Sequence, residues 1–242
     1  MKPFTPLPLT YFYMSRPAVC PYLPDRVEQM VFTDLGSADN PAELHDQLSR
    51  NGFRRSQGIA YKPNCDRCSA CIPVRVPVDR FAPGRTFRKL MKRNAGVEAS
   101  LVPATARTDH YEMFRRYVRS RHSDGGMAHM SFDDYAAMVQ DSPIPTRLAE
   151  FRTATGELWG ACLTDLLDDG LSLVYSFFDP LYSDDSPGTQ MILWHIAEAQ
   201  RRGQPYVYLG YWISQSPKMS YKRRFRPMEA YGPDGWYPLD DD

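Results

Sequence analysis

Three runs of sequence decide how this chain folds: Thr146-Arg-Leu-Ala-Glu-Phe-Arg152, Glu157-Leu-Trp-Gly-Ala-Cys-Leu-Thr164 and Leu171-Ser-Leu-Val-Tyr-Ser-Phe-Phe178. Each is rich in aliphatic and aromatic residues and bounded by turn formers, which is the composition of a strand. Thr155-Gly156 and Asp169-Gly170 stand between them as turns, so the three runs are predicted to pair as antiparallel hairpins. After them a loop from Asp179 to Gly188 leads into a predicted helix, Thr189 to Arg202, closed by Gly203. Pro205 to Leu209 is a last strand. Upstream, Tyr111, Phe114 and Val118 share one face of a predicted helix over Asp109 to Arg121. Ser131-Phe-Asp-Asp134 reads as a capping box that opens a second helix carrying Tyr135, Met138 and Val139. The second half therefore runs helix, helix, three antiparallel strands, helix, strand.

The first half is punctuated by proline and glycine. It predicts a strand over Val27 to Leu35 and a helix over Pro41 to Arg50, with Asn40 as N-cap and Pro41 in the first turn. Strands follow over Gly52 to Tyr61 and Ile72 to Val78, then a helix from Thr86 to Ala95 stopped by Gly96, then a strand over Val97 to Val102. A break near Pro103 to Arg107 divides residues 1–104, a small mixed α/β cysteine-containing domain, from residues 105–242. The fold class is α+β.

With 242 residues, 43% hydrophobic and 24% charged, the chain has the composition of a globular protein and not of a disordered one. No window approaches the run of about 18 apolar residues that spans a bilayer. Three prolines in the first eight residues make a poor secretory signal, so a cytoplasmic location is expected. Twenty-nine basic and 29 acidic residues cancel, which argues against a globally basic nucleic-acid binder. The cancellation is a sum of patches. Seven Lys/Arg and a single acid lie between Arg75 and Arg93, five basic residues and no acid between Lys218 and Arg226, and six aspartates with no Lys or Arg between Asp165 and Asp185.

Cys65, Cys68 and Cys71 form a C-x2-C-x2-C run, and Cys20 is a possible fourth thiolate. That spacing suits zinc or an iron–sulfur cluster. A set of reduced, half-buried thiols packing a loop between strands reads equally well. Cys162 reads as a core residue, because free Cys packs as a small hydrophobe.

Several segments, in order, are similar to those of one family. They are Cys20-Pro-Tyr-Leu-Pro24, Gly52-Phe-Arg-Arg55, Tyr61-Lys-Pro-Asn-Cys65, Phe81-Ala-Pro-Gly-Arg85, Arg119-Ser-Arg-His122, Tyr175-Ser-Phe-Phe-Asp-Pro180, Gly188-Thr189, Tyr206-Val-Tyr-Leu-Gly-Tyr-Trp-Ile213 and Ser216-Pro-Lys-Met-Ser-Tyr-Lys222. The chain resembles the aminoacyl-tRNA–protein transferases, most closely their short bacterial, leucine-transferring branch. The order of elements after residue 105 resembles the acetyltransferase-like (GNAT) fold. The resemblance implies transfer of leucine from charged tRNA to proteins that begin with Asp or Glu, which marks them for N-degron degradation. Arginyltransferases of the family carry a second cysteine where Leu23 stands, so their cluster-binding set is not reproduced one for one.

Such a reaction is aminolysis of an ester by an α-amine, roughly a tenth to a fifth of which is neutral at pH 7. Positioning therefore carries much of the acceleration, and no cofactor is required for transfer. An acidic acceptor calls for a cation, and Arg54 and Arg55 are the candidates because guanidinium grips carboxylate in a fork. Neighbours on a strand face opposite ways, so one of the two is expected in the pocket. Tyr61 and Lys62 are secondary candidates. Phosphates of the donor call for Arg85, Arg88, Lys89, Lys92 and Arg93, and for Lys218, Tyr221, Lys222 and Arg223. Asp179, Tyr182 and Tyr211 are the candidates around the acyl group, whereas His195 reads as a core residue. An arginyl donor, with the aspartates near 165–185 as its counterions, is the runner-up. A small-molecule N-acetyltransferase and a metal-bearing RNA-binding or redox-sensing module without transfer activity are the remaining alternatives.

Overall fold

Two larger sheets and a two-stranded ribbon carry the described residues, and the largest takes its register from the hairpins centred on residues 146–178. The computed structural model describes residues 10–121 and 126–239; the proline-rich start and the His122 that closes the Arg119–His122 motif lie outside them. The strands are β1 (Tyr13–Met14), β2 (Ala18–Val19), β3 (Val27–Glu28), β4 (Met30–Asp34), β5 (Arg54–Ser56), β6 (Ile59–Pro63), β7 (Ile72–Pro77), β8 (Glu98–Pro103), β9 (Thr146–Arg152), β10 (Leu158–Leu167), β11 (Gly170–Phe178), β12 (Tyr206–Trp212), β13 (Glu229–Gly232) and β14 (Gly235–Pro238). The helices are α1 (Pro41–Arg50), α2 (Arg85–Arg93), α3 (Thr108–Arg121), α4 (Phe132–Gln140), α5 (Pro187–Arg201) and α6 (Pro217–Ser220). The fold is α+β: a four-stranded sheet ordered β1-β4-β6-β5, an eight-stranded sheet ordered β14-β13-β7-β12-β11-β10-β9-β8 and the antiparallel ribbon β2-β3. Strands from both sides of the predicted break share the larger sheet, with β7 near its centre and β8 at one edge.

Local chemistry accounts for most boundaries. Asn40 accepts from the Glu43 amide and Pro41 occupies the first turn of α1. Ser131 and Asp134 exchange the two hydrogen bonds of a capping box at the start of α4. Successive residues of β10 face opposite sides: Ala161 and Leu163 pack with Phe114 and Val118 of α3 and Tyr135 of α4, while Cys162 packs with Met191 of α5. The sheet is thus covered on both faces. Truncating a fully buried ring such as Phe114 to Ala costs about 3–5 kcal/mol.

Three predicted elements differ from the structure. The run over Gly52 to Tyr61 is the hairpin β5–β6, because Gln57 takes a positive φ of 49° and Gly58 completes the turn. Val27 to Leu35 splits into β3 and β4. Gly170 lies in β11 and not in the turn, which is Asp168-Asp169. Glycine is required there because a Cβ would stand 2.2 Å from the carbonyl oxygen of Tyr206 in β12. The hairpin β13–β14 has no counterpart in the sequence reading.

Candidate active site at the splay of two parallel strands

The strands β11 and β12 run parallel, but they pair only where Gly170–Ser172 meets Tyr206–Tyr208. Just past that point each carries a bulge. The β10–β11 register slips between Leu163 and Thr164, which leaves Val174 without an opposite residue; the β12–β7 register slips between Tyr208 and Gly210, which leaves Leu209. Bulges bend strands and release ladder hydrogen bonds. Here two of them, side by side, part the parallel pair and open a wedge.

Freed carbonyls need donors, and two cations supply them. Arg54 enters from β5, and its Nη2 donates to the carbonyls of Leu173 and Val174, both at 2.9 Å. Lys222 donates from Nζ to the carbonyls of Leu209 (2.8 Å) and Tyr211 (2.6 Å). Gly210 makes the crossing possible: it has a φ of +73°, and a Cβ there would lie 2.3 Å from the Arg54 guanidinium carbon. Above these two cations is a cleft of about 510 Å³. Leu173, Met191, Ile192 and Leu209 give it apolar walls, Tyr22, Tyr61, Tyr117, Tyr175 and Tyr221 give it aromatic ones, and Lys218 stands at its edge. No Asp or Glu lines it among the described residues. Burial and the neighbouring Arg54 push the Lys222 ammonium well below the usual lysine range. Desolvation pushes the Tyr221 phenol up to about 12.

The structure separates the other candidates. Arg55, next to Arg54, is buried away from the cleft; its Nε and Nη2 grip the two Asp165 oxygens at 2.8 and 2.6 Å, and its Nη1 donates to the Gln57 carbonyl. Lys62 donates to the Asn51 carbonyl and lies 4.5 Å from the Tyr231 ring centre, outside the cleft. Tyr61, one residue earlier, is in its wall. Tyr211 is buried beneath, its hydroxyl donating to the carbonyls of Gly52 and Tyr61; desolvation raises its pKa, which suits a structural donor and not a proton shuttle. Asp179 accepts from Arg116 (2.6 Å) and from the Leu181 amide, and Tyr182 packs near Trp159; neither reaches the cleft. His195 is fully buried between Thr164 and the Met191 carbonyl, and desolvation lowers it to about 4. Of the aspartates between 165 and 185, Asp165 is matched by Arg55 and His45, Asp168 and Asp169 by Arg50, Asp179 by Arg116 and Asp185 by Arg93. None lines the cleft.

The basic patches meet outside it. On α2, Phe87 points inward and stacks on Phe225 at 4.9 Å, while Arg85, Arg88, Lys89, Lys92 and Arg93 face solvent. That stacking brings α2 beside the segment after Tyr221, whose Arg223 lies 5.3 Å from the Trp212 ring centre. Lys89, Arg93 and Arg224 then line a second groove together with Ser186 and Thr189, at the start of α5. Gly188, in the same turn, lines the cleft. Groove and cleft are thus joined across the first turn of α5, where the helix dipole favours an anion.

A model of the C terminus of arginine-tRNA-protein transferases matches residues 109–232, and a model of their N terminus matches residues 18–89. The aspartate/glutamate leucyltransferase of Paramagnetospirillum magneticum is 54% identical over 226 residues, which cover 93% of this chain and 92% of that one. The chain belongs to the aspartate/glutamate leucyltransferase family. The leucyltransferase of Nitrobacter hamburgensis is 51% identical over 237 residues, covering 95% and 92% of the two chains. Among solved structures, the C-terminal domain (DUF2156) of a protein described as a candidate lysylphosphatidylglycerol synthetase of Agrobacterium fabrum shares the fold, with a TM-score of 0.50 at 12% identity. The likeness covers 81% of this chain and 62% of that one.

In this leucyltransferase family member, Cys20, Cys65, Cys68 and Cys71 line one cavity of about 210 Å³, which shares Pro21, Tyr22 and Tyr61 with the cleft. Burial, reinforced by the neighbouring thiols, pushes Cys71 up to about 12. Among the described residues no three His, Cys, Asp or Glu side chains converge as a metal site. The four cysteines nonetheless share that one cavity, and no step is routed through an ion or cluster. Cys162 is fully buried in the core.

Two features of the site escaped the sequence reading, the paired bulges and the inward turn of Lys222. A signal for the first was present, since a glycine inside a strand pattern such as Tyr206 to Trp212 marks a bulge or a close approach.

Proposed function

We propose that this chain transfers leucine from leucyl-tRNA to the N-terminal Asp or Glu of acceptor proteins, forming a peptide bond and creating a destabilising N-terminus. The observation that carries this reading is the cleft itself: Arg54 and Lys222 at its base have main-chain carbonyls as partners and no carboxylate among the described residues. A cleft with uncompensated cations favours an anionic ligand, and an acidic first residue supplies one. Apolar walls without an acid suit a leucyl side chain, and leave an arginyl cation without a counterion. The splayed parallel pair followed by the start of α5 supports a GNAT-like reading of residues 105–242, with the acyl group entering where β11 and β12 part. Residues 1–104 contribute Arg54, Tyr22 and Tyr61, the side of the cleft that reads the acceptor.

The donor's 3′-terminal phosphates lie along Lys89, Arg93 and Arg224, and its esterified end crosses Gly188 into the cleft. The acceptor's neutral α-amine attacks the ester carbonyl. A C–N bond forms, the ester C–O bond breaks, and the amine proton ends on the departing ribose hydroxyl. The ester is already activated, so holding the two groups at attack distance is the chief contribution of the protein. Arg54 fixes the acceptor, and the walls exclude water that would hydrolyse the ester. The reaction places the chain in the cytoplasm, with its charged tRNA; no described helix is long and apolar enough to cross a membrane.

Incubation of the purified protein with charged tRNA pools and peptides beginning Asp, Glu or Ala, read by mass spectrometry, tests the proposal. A leucine-sized addition to the first two peptides alone is expected. An arginine-sized addition, or none, overturns it.

A further inference from the structure

By sequence, Lys222 is one of five basic residues between Lys218 and Arg226 and resembles a phosphate ligand. By structure it is unlike its neighbours. Lys218, Arg224 and Arg226 face solvent, whereas Lys222 is only 6% exposed. A side chain so enclosed does not reach a phosphate on the outer surface. It reaches the floor of the cleft, where the bulge at Leu209 has released a carbonyl.

We infer that Lys222 is a specificity-determining residue of the acceptor site, where its ammonium and the Arg54 guanidinium together receive the side-chain carboxylate of the acceptor's first residue. The assignment rests on the acidic-acceptor reading above. An ammonium has three donors, and the carbonyls of Leu209 and Tyr211 take two. Arg54 spends Nη2 on Leu173 and Val174 and retains Nε and Nη1. The two cations are therefore anchored by main chain on the two strands that part, each with donors in reserve. A buried cation without a counterion is costly, and burial with Arg54 nearby already weakens the Lys222 proton affinity. A carboxylate entering between them relieves both. A neutral amide of the same shape relieves neither, so Asn in place of Asp is rejected by the charges left unpaired.

The test compares leucine transfer to two peptides that differ only in their first residue, Asp or Asn, by wild type, Lys222→Met and Lys222→Arg. Thermal unfolding of each variant is followed alongside. Lys222→Met is expected to reduce the Asp-over-Asn ratio of kcat/KM by about tenfold or more, through KM for the Asp peptide, with KM for leucyl-tRNA unchanged. Lys222→Arg restores part of the ratio. An unchanged ratio, or a rise in KM for leucyl-tRNA alone, overturns the inference. A second measurement needs only the wild type. Reductive methylation of Lys222, mapped by mass spectrometry, is expected to slow in the presence of the Asp peptide and not the Asn peptide; equal rates overturn the inference even where Lys222→Met fails to fold. Wild type that transfers leucine to neither peptide refutes the proposed function instead.

Discussion

Arg54 and Arg55 are neighbours on one short strand, yet they belong to two different regions of the molecule. Arg55 points to a buried site where Asp165, His45 and Thr146 surround it; the carboxylate matches its charge, and both partners are almost wholly enclosed. Arg54 points to the wedge between β11 and β12, where carbonyls accept from it and, among the described residues, no acid stands opposite. An arginine whose charge the chain itself completes is part of the structure. One completed by dipoles alone is prepared for a charge that arrives from outside.

The sharpest way to break this contrast is to strip the balanced side. Asp165→Ala leaves Arg55 buried without a counterion, and a loss of about 3–5 kcal/mol in unfolding free energy is expected from thermal or denaturant melts. The same site fixes the sign of a pH effect. Against the desolvation of complete burial, hydrogen bonds from His45 and Arg55 hold the Asp165 carboxyl below the ordinary aspartate range. Its contribution to stability is thus present above the unfolded value of about 3.9, and is lost as pH falls through the lower folded value. Asp165→Asn should flatten that acid limb of a stability–pH curve; a wild-type curve with no such limb contradicts the assignment.

On the unbalanced side the fold should survive and the reaction should not. Arg54→Met is expected to cut kcat/KM for an Asp peptide by about a hundredfold, equivalent to roughly 2.7 kcal/mol, with a smaller loss of stability than Asp165→Ala, since two part-buried carbonyls lose their donor. A large drop in melting temperature with kcat/KM retained would reverse the roles given to the two arginines. The smallest effect is expected outside the cleft. Lys89→Ala with Arg93→Ala should weaken tRNA binding a few-fold and lower the slope of log K against log salt by about one for each phosphate no longer neutralised, leaving the Asp-over-Asn preference intact.

Much of the scaffold is legible in the sequence. The hairpins of β9 to β11, the Asn40 cap and the Ser131–Asp134 box follow from local chemistry. The alternation that sends Arg54 and Arg55 apart follows from the period of a strand. That same period fails at a bulge, where one extra residue resets the facing of all that follows, and no propensity distinguishes Val174 or Leu209 from any other strand residue. Lys222 looks like the basic residues around it, because a carbonyl released at Leu209, on the preceding strand, leaves no mark at position 222. Asp179, Tyr182 and Tyr211 follow the order of elements correctly, but their partners, Arg116, Trp159 and the carbonyls of Gly52 and Tyr61, come from distant segments.

The central claim is that the wedge between β11 and β12 holds the acceptor's negative charge, and a crystal structure with a bound peptide that begins with Asp tests it most directly. The account predicts the side-chain carboxylate within hydrogen-bond distance, about 2.7–3.2 Å, of the Arg54 guanidinium and the Lys222 ammonium, with the α-amine turned toward Gly188. A carboxylate bound instead on the outer face of α2, or a cleft filled by the peptide with its acid turned to solvent, would contradict it.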